Sequence, residues 1–270
     1  MRKVHNEWLD YRFELSEHPR RVVSLVSSAT EALDRMGLRD RLVGISEYCP
    51  RYIDAHGIPV VGQYLNADMQ AIEVLDPDLI LLTTGVQRGL SKRLMNAGLP
   101  VYNLYLPVSF YGFLENIRHI GSLINDLSSS ERLISTMRDE AESLRKGESF
   151  QPKPRVYVEL WLGRHRRAVG GMSYIADIVR MAGAELAFSD LAQGYVENDL
   201  GVEPEADIFL FFHEPEYLVD GAQLVYERGW DASKPVIMST VEAGMNMIQD
   251  GPSMLDTARW LNTRLKEVLR

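Results

Sequence analysis

The chain has 270 residues, enough for two domains of ordinary size, and its 46% hydrophobic and 25% charged residues are typical of a soluble globular protein. Its formal net charge of -9 argues against nonspecific nucleic-acid binding, because neutralising phosphates requires clustered Lys and Arg. The single cysteine, Cys49, excludes an intramolecular disulfide and a Cys-rich metal site.

The compartment is predicted from the first residues and from hydropathy. Two positive charges, Arg2 and Lys3, are not followed by the apolar region of a signal peptide, so the sequence as written predicts a cytoplasmic protein. Removal of a leader would instead leave a periplasmic or otherwise extracytoplasmic protein with the same sequence. No stretch approaches the roughly 20 apolar residues of a membrane span.

The first part of the chain alternates predicted strands and helices. A strand at 21–26 leads into a helix that ends at Gly37, with Ser28 and Glu31 spaced as a capping box. Further elements follow in order: strands at 42–46 and 59–61, a helix near 67–75, a strand at 79–83, a helix ending near 97 and a strand at 100–104. This alternation is typical of an α/β domain with a parallel sheet.

Residues 109–147 contain no strand pattern. Ser128 and Glu131 form a second capping-box spacing, and a long helix is predicted to about Lys146. Alternating elements then resume, with strands at 155–161, 207–212 and 235–238, a helix at 173–181 and an amphipathic helix from Ser253 onward. We therefore predict an N-terminal lobe at 1–127, a bridging helix at 128–150 and a C-terminal lobe at 151–270.

Two distant segments have nearly the same pattern. Residues 67–83 and 196–212 each read as a short helix, an acidic turn containing Pro, an Asp (Asp78 or Asp207) and a wholly apolar run. Such a run is typical of a parallel strand buried on both faces. The repetition predicts two similar lobes, and the cleft between two lobes is a usual place for a ligand.

Catalytic and nucleotide-binding motifs are absent. The sequence lacks GxGxxG, GxxxxGK[ST], GxSxG and HExxH patterns, and its six histidines show no metal-ligand spacing. The paired carboxylates Asp76 and Asp78 are better explained as a turn before a strand than as an acid–base pair. We therefore predict a binding protein without catalytic residues, metal site or cofactor of its own.

An ordered set of segments resembles a known family. It consists of Arg21-Val22-Val23-Ser24-Leu25, Ser28-Ala29-Thr30-Glu31, Leu42-Val43-Gly44 before a Tyr-Cys-Pro loop, and then the helix with its Asp-Pro-Asp-Leu-Ile-Leu strand. Together they resemble the helical-backbone (class III) substrate-binding proteins of ABC importers, and most of all the cobalamin-binding branch, whose relatives bind ferric siderophores or haem. In the second lobe, Gly170-Gly171 and residues 175–183 fit the small-residue turn and helix of this family.

The resemblance implies a fold and a ligand site. The fold class would be α/β, with two Rossmann-like lobes of mainly parallel sheets joined by a single long α-helix and a ligand cleft between them. Loops that follow the strands would line the cleft. The ligand-binding residues so implied are Ser27, Tyr48, Cys49, Tyr64, Thr84, Tyr105, Trp161, Arg164, His165 and His213.

The resemblance also implies a permease partner, with one departure. In transport members a Glu on the helix before each Asp-containing strand docks on Arg residues of the permease. Gln70 and Asn198 occupy these two positions here, so the charge-assisted pairs would be lost. Glu73 and Glu197 lie nearby as substitutes.

Three hypotheses on function therefore follow. The first is non-catalytic binding of a corrinoid-like molecule such as cobalamin by a monomer. The second is binding of haem or a ferric siderophore, whose negative charge would favour the arginines at 164, 166 and 167. The third is a cytosolic enzyme or carrier that modifies or delivers such a ligand, with Cys49 or His213 as the reactive group.

Overall fold

The computed structural model describes residues 1–147, 150–197 and 199–270 and shows an α/β chain that divides into two compact units. The first unit comprises Met1–Leu106 and Gly112–Thr136, and the second comprises Pro107–Tyr111 and Met137–Arg270. None of the helices in the described part of the chain is long and apolar enough to cross a membrane.

The first unit contains a five-stranded parallel sheet and a separate hairpin. Its strands are β1 (Arg2–Asn6), β2 (Tyr11–Leu15), β3 (Val22–Ser24), β4 (Leu42–Ser46), β5 (Val60–Gly62), β6 (Leu79–Thr83) and β7 (Val101–Leu104), and its first helices are α1 (Ser27–Arg35), α2 (Met69–Val74) and α3 (Arg88–Asn96). The sheet order is β5-β4-β3-β6-β7. All neighbouring pairs in this sheet are parallel, so the carboxyl ends of all five strands lie at one edge.

The hairpin formed by β1 and β2 is absent from the sequence prediction. The two strands pair antiparallel from Arg2↔Leu15 to Asn6↔Tyr11. The buried side chain of Asn6 donates hydrogen bonds to Val101 O (3.1 Å) and Asn103 Oδ1 (3.0 Å). The hairpin is thereby attached to β7.

Two long helices follow the parallel sheet. They are α4 (Phe110–Leu123) and α5 (Leu127–Lys146). Both contain a boundary between the two units, because Tyr111 and Gly112, like Thr136 and Met137, belong to different units. The long helix predicted at 128–146 is present as α5. The predicted domain limits at 127 and 151 stay a prediction.

The second unit contains a mixed sheet. Its strands are β8 (Arg155–Leu160), β9 (Arg167–Val169), β10 (Glu185–Leu186), β11 (Tyr195–Val196), β12 (Ile208–Phe212) and β13 (Val236–Ser239), and its helices are α6 (Tyr174–Met181), α7 (Gly221–Glu227) and α8 (Met254–Val268). The order is β11-β9-β8-β12-β13, with β10 also on β8. Strands β8, β10, β12 and β13 are mutually parallel, whereas β9 pairs antiparallel with both of its neighbours, β8 and β11. The predicted α/β class with mainly parallel sheets is therefore confirmed.

The repeated Asp has the same structural role in both units. Asp78 Oδ2 accepts hydrogen bonds from the backbone N–H groups of Arg20 (2.7 Å) and Arg21 (3.0 Å), just before β3. Asp207 Oδ2 accepts one from Arg155 N (2.7 Å), at the start of β8. Each carboxylate thus joins the start of a buried strand to the neighbouring strand. The repeated pattern at 67–83 and 196–212 therefore has a structural explanation.

A buried ion pair lies in the core of the second unit. Arg228 donates to both oxygens of Glu159, at 2.7 and 3.0 Å, and the two side chains are 6% and 0% exposed. The Tyr157 hydroxyl also donates to Glu159. The guanidinium lies over the Trp230 ring, 4.8 Å from its centroid. Hydrogen bonds and an aromatic face together offset the cost of burying these charges.

Three local predictions are wrong. Helix α1 begins at Ser27 and its N-cap residue is Val26, so Ser28 already lies within the helix and is not the cap, and the buried Glu31 accepts a hydrogen bond from Arg35 (3.2 Å). At α5 the cap is Asp126, which accepts from Ser128 Oγ (3.0 Å) and Ser129 N (3.1 Å).

The third wrong prediction is the helix of the second repeat. Residues 199–205 form no helix, because the Asp199 carboxylate accepts a hydrogen bond from Gly201 N (2.9 Å) and its carbonyl accepts one from Val202 N (3.2 Å). This local turn replaces the first turn of a helix. Asn198, one of the two predicted docking positions, lies outside the described residues.

Candidate functional site

The predicted site residues of the first unit follow the five parallel strands. Ser27 comes after β3, Tyr48 and Cys49 after β4, Tyr64 after β5, Thr84 after β6 and Tyr105 after β7. Because those strands are parallel, the loops that carry these residues lie along one edge of the sheet. Sequence reasoning placed these loops correctly, whereas their contact with a ligand stays a prediction.

This edge exposes large apolar side chains. Tyr105 is 49% exposed, and three neighbours in the same set of loops are similarly open: Leu65, Val86 and Leu106. Single exposed apolar residues are ordinary, but several in the loops of one sheet edge indicate a surface for binding. The first unit therefore offers an aromatic and aliphatic surface at the edge where α/β proteins hold ligands.

Gln87 holds these loops together, and the sequence analysis did not identify it as a candidate. Its buried amide donates to Leu25 O (3.2 Å) and Tyr64 O (2.7 Å), and its carbonyl accepts from Thr83 N (2.7 Å). One side chain thereby ties together the loops after β3, β5 and β6. The only sequence signal was a polar residue at a buried helix start, which does not reveal its partners.

Thr84 and Tyr105 lie on a similarly fixed segment. The Thr84 hydroxyl accepts a hydrogen bond from Leu106 N (3.0 Å), and Thr84 N donates to Leu104 O (2.8 Å). The carbonyl of Tyr105 accepts from the Asn116 amide (2.8 Å). The backbone is therefore held while the Tyr105 ring stays open to solvent, an arrangement that preorganises a binding surface.

Cys49 is fully buried in the first unit. Its Sγ lies 3.1 Å from Thr30 Oγ1 and 3.2 Å from Ser46 Oγ. Burial raises the pKa of this thiol, and the hydrogen bonds from Ser46 and Thr30 only partly oppose that effect. A neutral, inaccessible thiol is a poor nucleophile, so the geometry gives no support to a reactive Cys49. Tyr48 next to it is half-buried under the guanidinium of Arg51, 5.0 Å from the ring centroid.

The second unit gathers an aromatic cluster after β8. Trp161 stacks on His165 with ring centroids 5.2 Å apart and also contacts Tyr195 at 5.3 Å. The backbone of Trp161 has φ 54°, an uncommon conformation for a residue other than glycine, and such strain concentrates at functional positions. Burial raises the pKa of Tyr195, so its hydroxyl stays neutral and can act as a hydrogen-bond donor.

The loops after β8 and β12 are bound to each other. Leu162 N donates to Phe212 O (3.3 Å), and the Arg164 guanidinium forms an ion pair with Glu214. His213 Nδ1 lies 3.0 Å from Glu214 O. Gly163 has φ 79°, and a Cβ there would lie 3.0 Å from the Tyr217 side chain, so the loop requires glycine. These contacts bring Trp161, Arg164, His165 and His213 together within the unit.

Gly170 and Gly171 allow a second close approach. A Cβ on Gly170 would lie 2.2 Å from Gln193 O, and one on Gly171 would lie 2.0 Å from Ser189 O. The segment 189–193 therefore packs directly on this backbone and leads into β11, which carries Tyr195. The small-residue turn noted in the sequence thus has a packing role beside the aromatic cluster.

Two further sets of predicted positions concern metal ligation and permease docking. Within 1–147, 150–197 and 199–270, no group of three or more His, Cys, Asp or Glu side chains is arranged to hold a metal ion. Gln70 is exposed on α2, and Glu73 is exposed one turn further along the same helix. A docking role for either stays a prediction.

These features define a class of protein: an α/β binding protein with aromatic loops at the carboxyl edges of its sheets. The family model of the periplasmic binding proteins matches residues 22–202. The chain belongs to this family of substrate-binding proteins, and the resemblance predicted from the sequence is confirmed.

Individual relatives and one solved structure agree with this assignment. A cobalamin-binding protein of Halobacterium salinarum is 29% identical over 178 residues, which are 61% of this chain and 48% of that protein. A vitamin B12-binding protein of Vibrio parahaemolyticus is 26% identical over 199 residues, 70% of each chain. The periplasmic heme-binding protein HutB of Vibrio cholerae has a TM-score of 0.75 at 19% identity and covers 93% of this chain and 99% of its own. The chain thus spans about half the length of the halobacterial relative.

Proposed function

We propose that this protein binds a corrinoid-like small molecule through the loops at the carboxyl edges of its sheets, as the non-catalytic binding component of an ABC import system. The observation that carries this proposal is the set of exposed aromatic and aliphatic side chains at the carboxyl edge of the first sheet, together with the half-buried Trp161 stacked on His165 after β8. Broad apolar faces suit a macrocycle, and neighbouring N–H and O–H groups suit its amide rim. Relatives named for cobalamin and vitamin B12 support the same ligand class.

The residues proposed to contact the ligand are fewer than those predicted from the sequence. Tyr105, Thr84 and Tyr64 would serve in the first unit, and Trp161, His165 and His213 in the second. Cys49 would support the loop from inside, because its thiol is buried. Ser27 and Tyr48 would lie at the margin of the contact.

Haem binding is the second candidate function. The exposed imidazole of His165, held flat against Trp161, is an accessible nitrogen ligand of the kind that haem iron accepts. The structural likeness to HutB concerns the fold alone. A ferric siderophore is less favoured, because Arg164 and Arg167 are engaged in ion pairs.

Isothermal titration with cyanocobalamin, and in parallel with haemin, tests both candidates. We expect saturable cyanocobalamin binding, and we expect Tyr105→Ala and Trp161→Ala each to weaken it about tenfold, equal to 1.4 kcal/mol. Tyr226→Ala is the control, because this exposed tyrosine lies in the last turn of α7 and not in a loop that follows a strand. Binding of haemin alone would select the second candidate, and binding of neither would refute both.

The proposal also includes a location outside the cytoplasm and a permease as partner. The family consists of periplasmic binding proteins, which favours the extracytoplasmic alternative. We infer docking to an ABC permease through the exposed face of α2, where Glu73 would compensate for the uncharged Gln70. Loss of permease-dependent uptake on Glu73→Gln, with ligand binding retained, would support this role.

A further inference from the structure

The basic segment of the second unit is electrically neutralised by its surroundings. The Arg164 guanidinium pairs with Glu214, and Arg167 Nη2 lies 2.9 Å from Glu197 Oε1. The hydrogen bond from Glu214 raises the pKa of Arg164, and Glu216 adds to the effect. Two arginines of the segment 164–167, Arg164 and Arg167, thus each form an ion pair with a glutamate.

The pair between Arg164 and Glu214 is held by the fold. The two residues follow the adjacent parallel strands β8 and β12, whose loops are joined by the bond from Leu162 N to Phe212 O. The Glu214 side chain is only 22% exposed, whereas that of Arg164 is 53% exposed. The carboxylate is therefore the fixed member, and it determines where the guanidinium lies.

An arginine whose charge is offset by a neighbouring carboxylate attracts an anionic ligand less strongly than a lone arginine does. A free guanidinium binds a carboxylate or phosphate through two parallel hydrogen bonds. Arg164 donates to Glu214 through Nη1 and has further N–H groups, but an anion bound to them would lie beside the Glu214 carboxylate, which offsets the charge of the arginine and repels the anion. A ligand without net charge meets neither cost.

We propose that Glu214, assisted by Glu197, is a specificity-determining residue that makes the site prefer an uncharged, amide-bearing ligand over an anionic ligand. This inference rests on the proposed function, because it concerns the same loops. It adds the charge class of the ligand, which the exposed aromatic surface alone does not define.

The experiment compares one uncharged and one anionic probe. Dissociation constants for cyanocobalamin and for haemin, which carries two propionates, are measured for the wild type, Glu214→Gln and the double variant Glu214→Gln/Arg164→Gln. Glu205→Gln is the matched control, since Glu205 also pairs with an arginine, Arg155 (2.9 Å), but at the amino end of the same strand β8.

We expect Glu214→Gln to raise the affinity for haemin relative to cyanocobalamin about five- to tenfold, the usual range for one exposed charge-assisted contact. Adding Arg164→Gln should abolish this gain, because the guanidinium freed by the first substitution is then gone. Glu205→Gln should leave the ratio as in the wild type. A ratio that does not change in Glu214→Gln, or a gain that persists without Arg164, overturns the inference.

The results that would refute the proposed function differ from those that would overturn the inference about Glu214. If the wild type binds neither probe while Glu214→Gln gains haemin binding, the corrinoid proposal is refuted and the role of Glu214 is supported. If neither the wild type nor Glu214→Gln binds haemin and the wild type binds cyanocobalamin, the function stands and the inference is overturned. If no variant binds either probe, both are refuted.

Discussion

Arg228 and Glu159, considered first at the residue scale, form an ion pair with almost no access to solvent. Removing one member leaves the other charge buried without a partner, which typically costs about 3–5 kcal/mol. We therefore expect Arg228→Met to lower the free energy of unfolding by about that amount in urea denaturation. The double variant Arg228→Met/Glu159→Gln should be more stable than the single variant, because no charge is left behind.

An exposed pair provides the control for this prediction. Arg264 and Glu267 lie three residues apart on α8, and both are nearly half exposed. Such surface pairs contribute less than about 1 kcal/mol. Arg264→Gln should therefore leave the urea midpoint almost unchanged, and an equal loss in both variants would contradict the importance given to burial.

The buried Cys49 thiol leads to a prediction of pH dependence. Because burial raises the pKa of Cys49, the folded state keeps its proton at a pH where the unfolded state loses it. The contribution of this thiol is complete below the unfolded pKa, about 8.5, and decreases as pH rises above it. The difference in unfolding free energy between the wild type and Cys49→Ala should therefore fall between about pH 8 and pH 10.

Reaction with a thiol reagent provides an independent check of Cys49. We expect no labelling of the native protein by DTNB at pH 8 and complete labelling in urea, since the sulfur is inaccessible in the folded state. Rapid labelling of the native protein would show an exposed thiol and would revive Cys49 as a reactive group.

Residues that follow strands could be predicted from the sequence, and their partners could not. The positions of Thr84 and His213 follow from two apolar runs and the rule that parallel sheets bind ligands at their carboxyl ends. The contacts of Gln87 and the pairing of Arg164 with Glu214 join segments 23 to 62 residues apart. Such pairings depend on tertiary structure, which a single sequence does not encode as a local pattern.

At the scale of elements, the hairpin of β1 and β2 depends on one buried side chain. Asn6 is 1% exposed, and its amide is a donor to Val101 O and Asn103 Oδ1 on β7. Asn6→Ala leaves two buried acceptors without this donor and should cost about 1–3 kcal/mol. Hydrogen exchange should show faster exchange of the amides of β1, β2 and β7.

Lys3→Ala is the matched control on the same strand, since Lys3 is exposed. It should leave both the exchange rates and the free energy of unfolding close to those of the wild type. Equal effects of Lys3→Ala and Asn6→Ala would mean that the hairpin is held by strand pairing and not by Asn6.

The same elements show why some were predicted and others were not. Strands β6 and β12 are buried along their whole length, so their sequences are continuous apolar runs. Strand β1 contains Arg2, Lys3 and His5 and is only partly buried, which conceals it from any hydrophobic pattern. Near Asp199, a local turn prevailed over the helix that the repeat predicted.

At the scale of the whole molecule, each unit has its own core and its own carboxyl edge. One core gathers around Val23, Ile72 and Ile80, and the other gathers around Tyr157, Phe209 and Trp230. Each is therefore able to present loops on a stable support. Mutations in one unit alone do not test which set of loops binds the proposed ligand.

Hydrogen exchange with and without ligand makes that test. A ligand bound only to the folded state, at a free concentration of 100 times its Kd, stabilises the protein by about 2.7 kcal/mol. If cyanocobalamin contacts both units, amides at 84–87 and 105–106 and amides at 161–165 and 213–217 should all exchange more slowly when it is bound. Amides of β1 and β2 serve as an internal reference, since no contact there is proposed. Protection confined to the loops of one unit would place the ligand on that unit alone, and slower exchange in none of these loops would refute the proposed function.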